Sequence, residues 1–110
     1  MFESVIRAKG DLAGVYEYDG ETGYFYLYQT GPNGNKVLGA IHVLSGMSDL
    51  ADEDVQIRWD HENEKVGLFI RTELWAVFDA RDGAKYGGDY EVGALPQLSA
   101  RATSGFGAAS

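Results

Sequence analysis

Between Val55 and Trp59 apolar and polar residues alternate, with Val55, Ile57 and Trp59 on one side and Gln56 and Arg58 on the other. A period of two is the signature of a strand with one buried face. Runs of strand-forming residues bounded by turn signals recur along most of the chain and predict strands over Ala13–Tyr18, Gly23–Gln29, Val37–Val43, Val55–Trp59 and Val66–Ile70. "LWAVFD" is apolar at five successive positions and predicts a strand covered on both faces. "AKYGGDYEV" reads as a last, glycine-interrupted strand, and "SVIRA" near the start as either a short strand or an arm.

Polar, glycine-bearing bends separate these runs. In "DGET", Gly20 accepts positive φ and the Asp19 side chain can bond forward to the backbone. In "TGPNGNK" Pro32 fits the first central position of a turn and Gly34 can take the left-handed conformation, and "ARDG" is a further hairpin signal. Only "LSGMSDLADED" breaks the rhythm, with room for at most one short helical turn near 46–54. Strand runs joined by short bends imply an all-β, antiparallel meander of about six or seven strands. It would form a small sheet, a sandwich or a partly open barrel. Residues 1–92 are expected to form this single domain. Residues 93–110, rich in small side chains, are expected to be a flexible tail with at best Leu95 or Phe106 docked.

Five of the seven tyrosines cluster in "VYEYDGETGYFYLY". Along Gly23–Gln29, Tyr24, Tyr26 and Tyr28 share one face and Phe25 and Leu27 the other. Tyr16 and Tyr18 join the tyrosine face if the preceding loop has five residues, Asp19 to Gly23. They join Phe25 and Leu27 if it has four, Asp19 to Thr22. One residue of register moves two rings through the sheet. Phe25 and Leu27 carry no polar atom and have the stronger claim on the core, which leaves the tyrosines with packed rings and wet hydroxyls.

Charge narrows the classes of partner. Nine basic against 17 acidic residues give a net charge of -8 with no basic stripe, which argues against nucleic acid. No apolar run reaches the ~20 residues of a membrane span, and the first residues lack a signal-peptide core. With no cysteine there is no thiol chemistry. A cytoplasmic location is the expectation.

Candidate chemistry is sparse. His42 shares a strand face with Leu38 and Ala40, but a general base needs a pocket and an orienting carboxylate, and neither is visible around it. His61 sits among Asp60, Glu62 and Glu64 without the spacing of a ligand set. Asp49, Asp52, Glu53 and Asp54 lack the alternation, central glycine and closing glutamate of a calcium loop. Ser45-Gly46, Asp82-Gly83 and Gly87-Gly88 do not lead into a helix as phosphate-binding loops do. No catalytic residue, metal or cofactor is assigned.

The pieces "EYDGETGYFYLY", "VLGAIHV", "VQIRWDHENEKVGLFI" and "LWAVFDARDGAKYGG" together resemble a family of small bacterial proteins known only as a domain of unknown function, over about residues 13–88. That resemblance implies a bacterial, intracellular context and no activity. A local likeness of "VQIRWDHENEKVGLFIRTELWAVFD" to the inner strands of a propeller blade supports a three-stranded meander there. A single blade cannot close a propeller.

Three functional readings follow. The leading one is a non-enzymatic protein-interaction module that self-associates, with a dimer favoured. Its contact residues are Tyr24, Tyr26 and Tyr28, joined by Tyr16 and Tyr18 under the five-residue loop. The second is a small-ligand-binding protein or enzyme with an aromatic pocket drawn from His42, Trp59, Trp75 and Asp79. The third is an acidic inhibitor or immunity-type protein that presents Asp49–Asp54 to a basic target.

Overall fold

The computed structural model of the chain describes residues 1–31 and 35–106. Two four-stranded antiparallel sheets pack as a sandwich. The first holds β1 (Phe2–Ile6), β2 (Leu12–Tyr18), β3 (Thr22–Gln29) and β4 (Lys36–Ser45). The second holds β5 (Val55–Trp59), β6 (Lys65–Ile70), β7 (Glu73–Asp79) and β8 (Lys85–Gly87). Every strand pairs with its sequence neighbour within its sheet, as short bends require. Asp52–Asp54 forms a single 3-10 turn inside the segment that had room for at most one. The turn predicted at Pro32 and Gly34 lies outside the described residues.

Among the described residues there are eight strands rather than six or seven, and β1 is the one that the sequence left open. It is fixed from both ends. Tyr18 N–H donates to Met1 O at 2.9 Å, while the terminal amino group donates to Tyr18 O at 3.0 Å. From the second sheet, Trp59 Nε1 donates to Val5 O at 3.0 Å. These are long-range bonds, which a window of five residues cannot display.

The core lies between the sheets. Tyr16, Phe25, Leu27 and Val43 from the first meet Ile57, Val66, Leu68 and Phe78 from the second. Phe25 and Phe78 stand 5.3 Å apart, ring to ring. Removing these side chains from water is the main favourable term in holding the sheets together.

The two outer faces are treated differently. On the second sheet the C-terminal segment folds back as cover. Phe106 packs edge-on against Phe69 at 5.8 Å, and Ala102, in the short helix α1 (Ala100–Thr103), is fully buried. Lys65 Nζ donates to Arg101 O at 3.0 Å and to Ser104 Oγ at 2.7 Å. This explains why all six residues of β6, and Trp75 to Asp79 of β7, are buried. Phe106 is the docked residue of the tail; Leu95 stays exposed. The first sheet has no such cover among the described residues.

Candidate functional site

The uncovered face is built by parity. The β2–β3 ladder sets Glu17 against Tyr24, Val15 against Tyr26 and Ala13 against Tyr28, and β1 adds Phe2, Ser4 and Ile6 to the same side. β4 contributes Val37, Ala40 and His42 opposite Tyr28, Tyr26 and Tyr24. Phe2 is 61% exposed, Ile6 58% and Val37 50%. A shallow depression of about 450 Å³ is lined by Phe2, Val15, Glu17, Tyr26, Tyr28 and Val37. Tyr24 and Tyr26 stack with centroids 5.9 Å apart, and Tyr24 meets the His42 ring edge-on at 5.5 Å. Burial, with Glu17 close by, raises the Tyr26 hydroxyl above the usual tyrosine range.

The four-residue loop decides which tyrosines belong. Tyr18 pairs with Gly23 and Tyr16 with Phe25, so these two rings point inward. Tyr16 is 1% exposed, and its burial pushes the hydroxyl up to about 12. Tyr18 instead donates its hydroxyl to Gly46 O at 2.6 Å. The surface stripe is therefore Tyr24, Tyr26 and Tyr28 alone. Asp19 Oδ1 enforces the loop length by accepting from Glu21 N–H at 2.9 Å and Thr22 N–H at 2.8 Å.

At one margin of this face His42 has two partners that the sequence did not pair with it. Its Nε2 lies 2.8 Å from Ser45 Oγ and its Nδ1 2.9 Å from Asp89 Oδ1. Residues three apart on a regular strand point to opposite faces. Here a bulge intervenes: Gly23 pairs with Leu44 but Tyr24 with His42, so Val43 and Leu44 both turn inward and His42 and Ser45 emerge together. Asp89 arrives by a crossover between the sheets. Gly88 N–H donates to Trp75 O at 2.8 Å in the second sheet, and Asp89 N–H donates to His42 O at 2.9 Å in the first. Gly87, Gly88 and Asp89 all have positive φ, 79°, 108° and 51°. A side chain at Gly88 would begin 2.6 Å from His42 O, so only glycine fits. The pair "GG" before an aspartate was the available signal.

The aromatic pocket expected of the second reading is not assembled. Trp59 lies on β5 beside Arg7, 5.6 Å from the guanidinium carbon to the ring, and bonds to β1. Trp75 is buried edge-on against Tyr90 at 4.9 Å. Asp79 is buried and closed off by Arg81, which donates from Nε at 3.0 Å and Nη2 at 2.7 Å. That hydrogen bonding holds the Asp79 carboxyl below its ordinary range.

The family-model comparison decides the kinship. A model described as an uncharacterised protein conserved in bacteria, DUF2251, matches residues 2–90. The chain belongs to DUF2251. No curated protein and no solved structure matches it. The DUF2251 match takes in both sheets and the crossover through Tyr90, a wider span than the 13–88 of the resemblance. In this DUF2251 chain no described helix is long and apolar enough to cross a membrane. Among the described residues no group of three or more His, Cys, Asp and Glu is placed to hold a metal ion. Asp60 serves its own turn instead, accepting from Glu64 N–H at 2.8 Å and Lys65 N–H at 3.0 Å. In the acidic loop Asp49 and Asp54 both lie against Arg71, at 3.5 and 3.7 Å.

Proposed function

We propose that the outer face of the first sheet docks a second copy of this chain, making the protein a self-associating interaction module. The observation that carries the reading is the contrast between outer faces. The chain folds its own C-terminal segment over the second sheet and leaves Phe2, Ile6 and Val37 of the first in water. Contiguous apolar surface of that kind marks a site of association. The choice of a like partner rests on charge. The chain carries a net -8, yet the outward positions of the four strands present one carboxylate, Glu17, with Asp89 at the margin beside His42. Two copies meeting there bring few like charges together, whereas the loop from Asp49 to Asp54 would oppose its twin. Tyr26 and Tyr28 supply broad, stiff rings whose hydroxyls tolerate a wet rim.

Light scattering coupled to size-exclusion chromatography tests this. The wild-type chain is expected at twice its sequence mass, and Tyr26→Glu or Val37→Asp at the sequence mass with an unchanged circular dichroism spectrum. A wild-type monomer at the highest attainable concentration, or a dimer that survives both substitutions, overturns the reading.

A further inference from the structure

We propose that Ser45, His42 and Asp89 form an acyl-transfer site in which Ser45 Oγ is the nucleophile toward small uncharged or cationic esters. The connectivity has the polarity this chemistry needs. With the Nδ1 proton donated to Asp89 at 2.9 Å, the Nε2 lone pair is free to accept the Ser45 hydroxyl at 2.8 Å. The tautomer that orients the ring is the one that activates the hydroxyl.

The backbone is shaped around the three groups. The bulge at Val43 brings His42 and Ser45 to one side of β4, and bulges of this kind re-aim side chains beside active sites. Asp89 is held at φ 51°, a conformation that is uncommon outside glycine and collects at functional positions. The turn after Ser45 is pinned twice, by Gly46 N–H donating to Glu21 O at 2.6 Å and by the Tyr18 hydroxyl donating to Gly46 O at 2.6 Å. The nucleophile thus stands on a fixed strand end rather than on a loose loop.

A cavity of about 600 Å³ opens at Ser45, with Leu44, Met47, Tyr90 and Val92 as apolar walls and Asp49 and Glu91 as carboxylates. Apolar walls suit a short acyl chain. The carboxylates repel anionic substrates and favour a neutral or cationic leaving group. None of these residues lines the depression between Phe2 and Val37, although His42 stands at the margin of the face that the dimer uses.

The reaction balances within the three groups and water. Ser45 Oγ bonds to the ester carbonyl carbon as Nε2 takes the hydroxyl proton. The tetrahedral intermediate collapses with cleavage of the acyl carbon–oxygen bond, and the alcohol leaves with that proton. Water, deprotonated by Nε2, then attacks the acyl carbon and breaks its bond to Ser45 Oγ. The acid is released, and Ser45 recovers its proton. The Asp89 side chain is 86% exposed, so solvent screens its charge and its part is to position the ring.

The test uses the purified full chain with a fluorophosphonate probe and p-nitrophenyl butyrate. Peptide mass spectrometry is expected to find the phosphonyl adduct on Ser45. Ser45→Ala and His42→Ala are expected to lower ester hydrolysis by roughly 10²-fold or more, while Thr103→Ala, on the exposed side of α1, leaves it unchanged. Asp89→Asn is expected to lower the turnover number by a smaller factor with KM unchanged. Butyrylthiocholine is expected to outcompete an anionic ester of the same acyl group. An absent adduct, an adduct elsewhere, or hydrolysis that persists in Ser45→Ala overturns the proposal.

Discussion

Tyr16 stands directly across the β2–β3 ladder from Phe25, and both rings lie inside the sandwich, at 1% and 0% exposure. Tyr26, one residue along, lies outside and half-buried. Deleting a buried aromatic ring costs about 3–5 kcal/mol, because transfer energy and a cavity are both lost. Tyr16→Ala is therefore expected to lower stability by that amount. Tyr26→Ala is expected to change it by under about 1 kcal/mol in dilute protein. Urea unfolding of the two variants checks the register, and equal losses would contradict it.

The alternation around this ladder was legible from residue order alone, as were the all-β class and neighbour pairing. The parity of the loop was not. The residues of "DGET" are compatible with either length, and the side chain of Asp19 binding two successive N–H groups makes the choice. Nor does composition mark the bulge at Val43, one of two unpaired residues along β4, the other being Leu38. His42 and Asp89 lie 47 positions apart and meet only because the chain passes from one sheet edge to the other. The buried state of β7 was visible in its apolar run, while its cover, Phe106 and α1, came from a segment read as tail.

That crossover depends on Gly88. An added methyl group there meets His42 O at 2.6 Å and Ile41 Cγ2 at 2.6 Å, on a backbone at φ 108°. Gly83 also has positive φ, 78°, but its added group meets nothing within 4 Å. Gly83→Ala is expected to cost about 1 kcal/mol from the backbone alone. Gly88→Ala is expected to cost well over that and to shift the His42 ring resonances as Asp89 moves. Two-dimensional NMR and thermal unfolding of the pair measure both effects. Equal costs would mean that the crossover tolerates a side chain.

Acid should loosen the fold through two paired carboxylates. Arg7 hydrogen-bonds Asp11 and holds its carboxyl down to about 2, and Arg81 holds Asp79 below its ordinary range. Each folded-state pKa is depressed, so the unfolded chain binds more protons as the pH drops below about 5. The stability they contribute is complete above the unfolded value of about 3.9 and is lost as pH falls through the folded one. The urea midpoint is expected to decline between about pH 5 and pH 2. Arg81→Gln is expected to lower it more at pH 7 than at pH 3, flattening the curve. Parallel curves for wild type and variant would remove Asp79 from the account.

Trp59 and Arg7 bind the amino-terminal strand to the second sheet. The indole donates to Val5 O at 3.0 Å, and Arg7 stands 5.6 Å from the ring while its Nη1 donates to Asn63 O at 2.9 Å. Trp59→Phe keeps an aromatic ring but removes the donor and leaves Val5 O without it. The expected loss is about 1 kcal/mol. It should be local, since β1 is an edge strand joined to its own sheet through β2 alone. Amide exchange is therefore expected to quicken at Glu3 and Val5 while Val66 and Val77 keep their wild-type protection. Uniform acceleration across both sheets would show instead that β1 is part of the cooperative core. In that case detaching β1 would unfold the sandwich as a whole, and the face bearing Phe2 and Ile6 would have no existence apart from it.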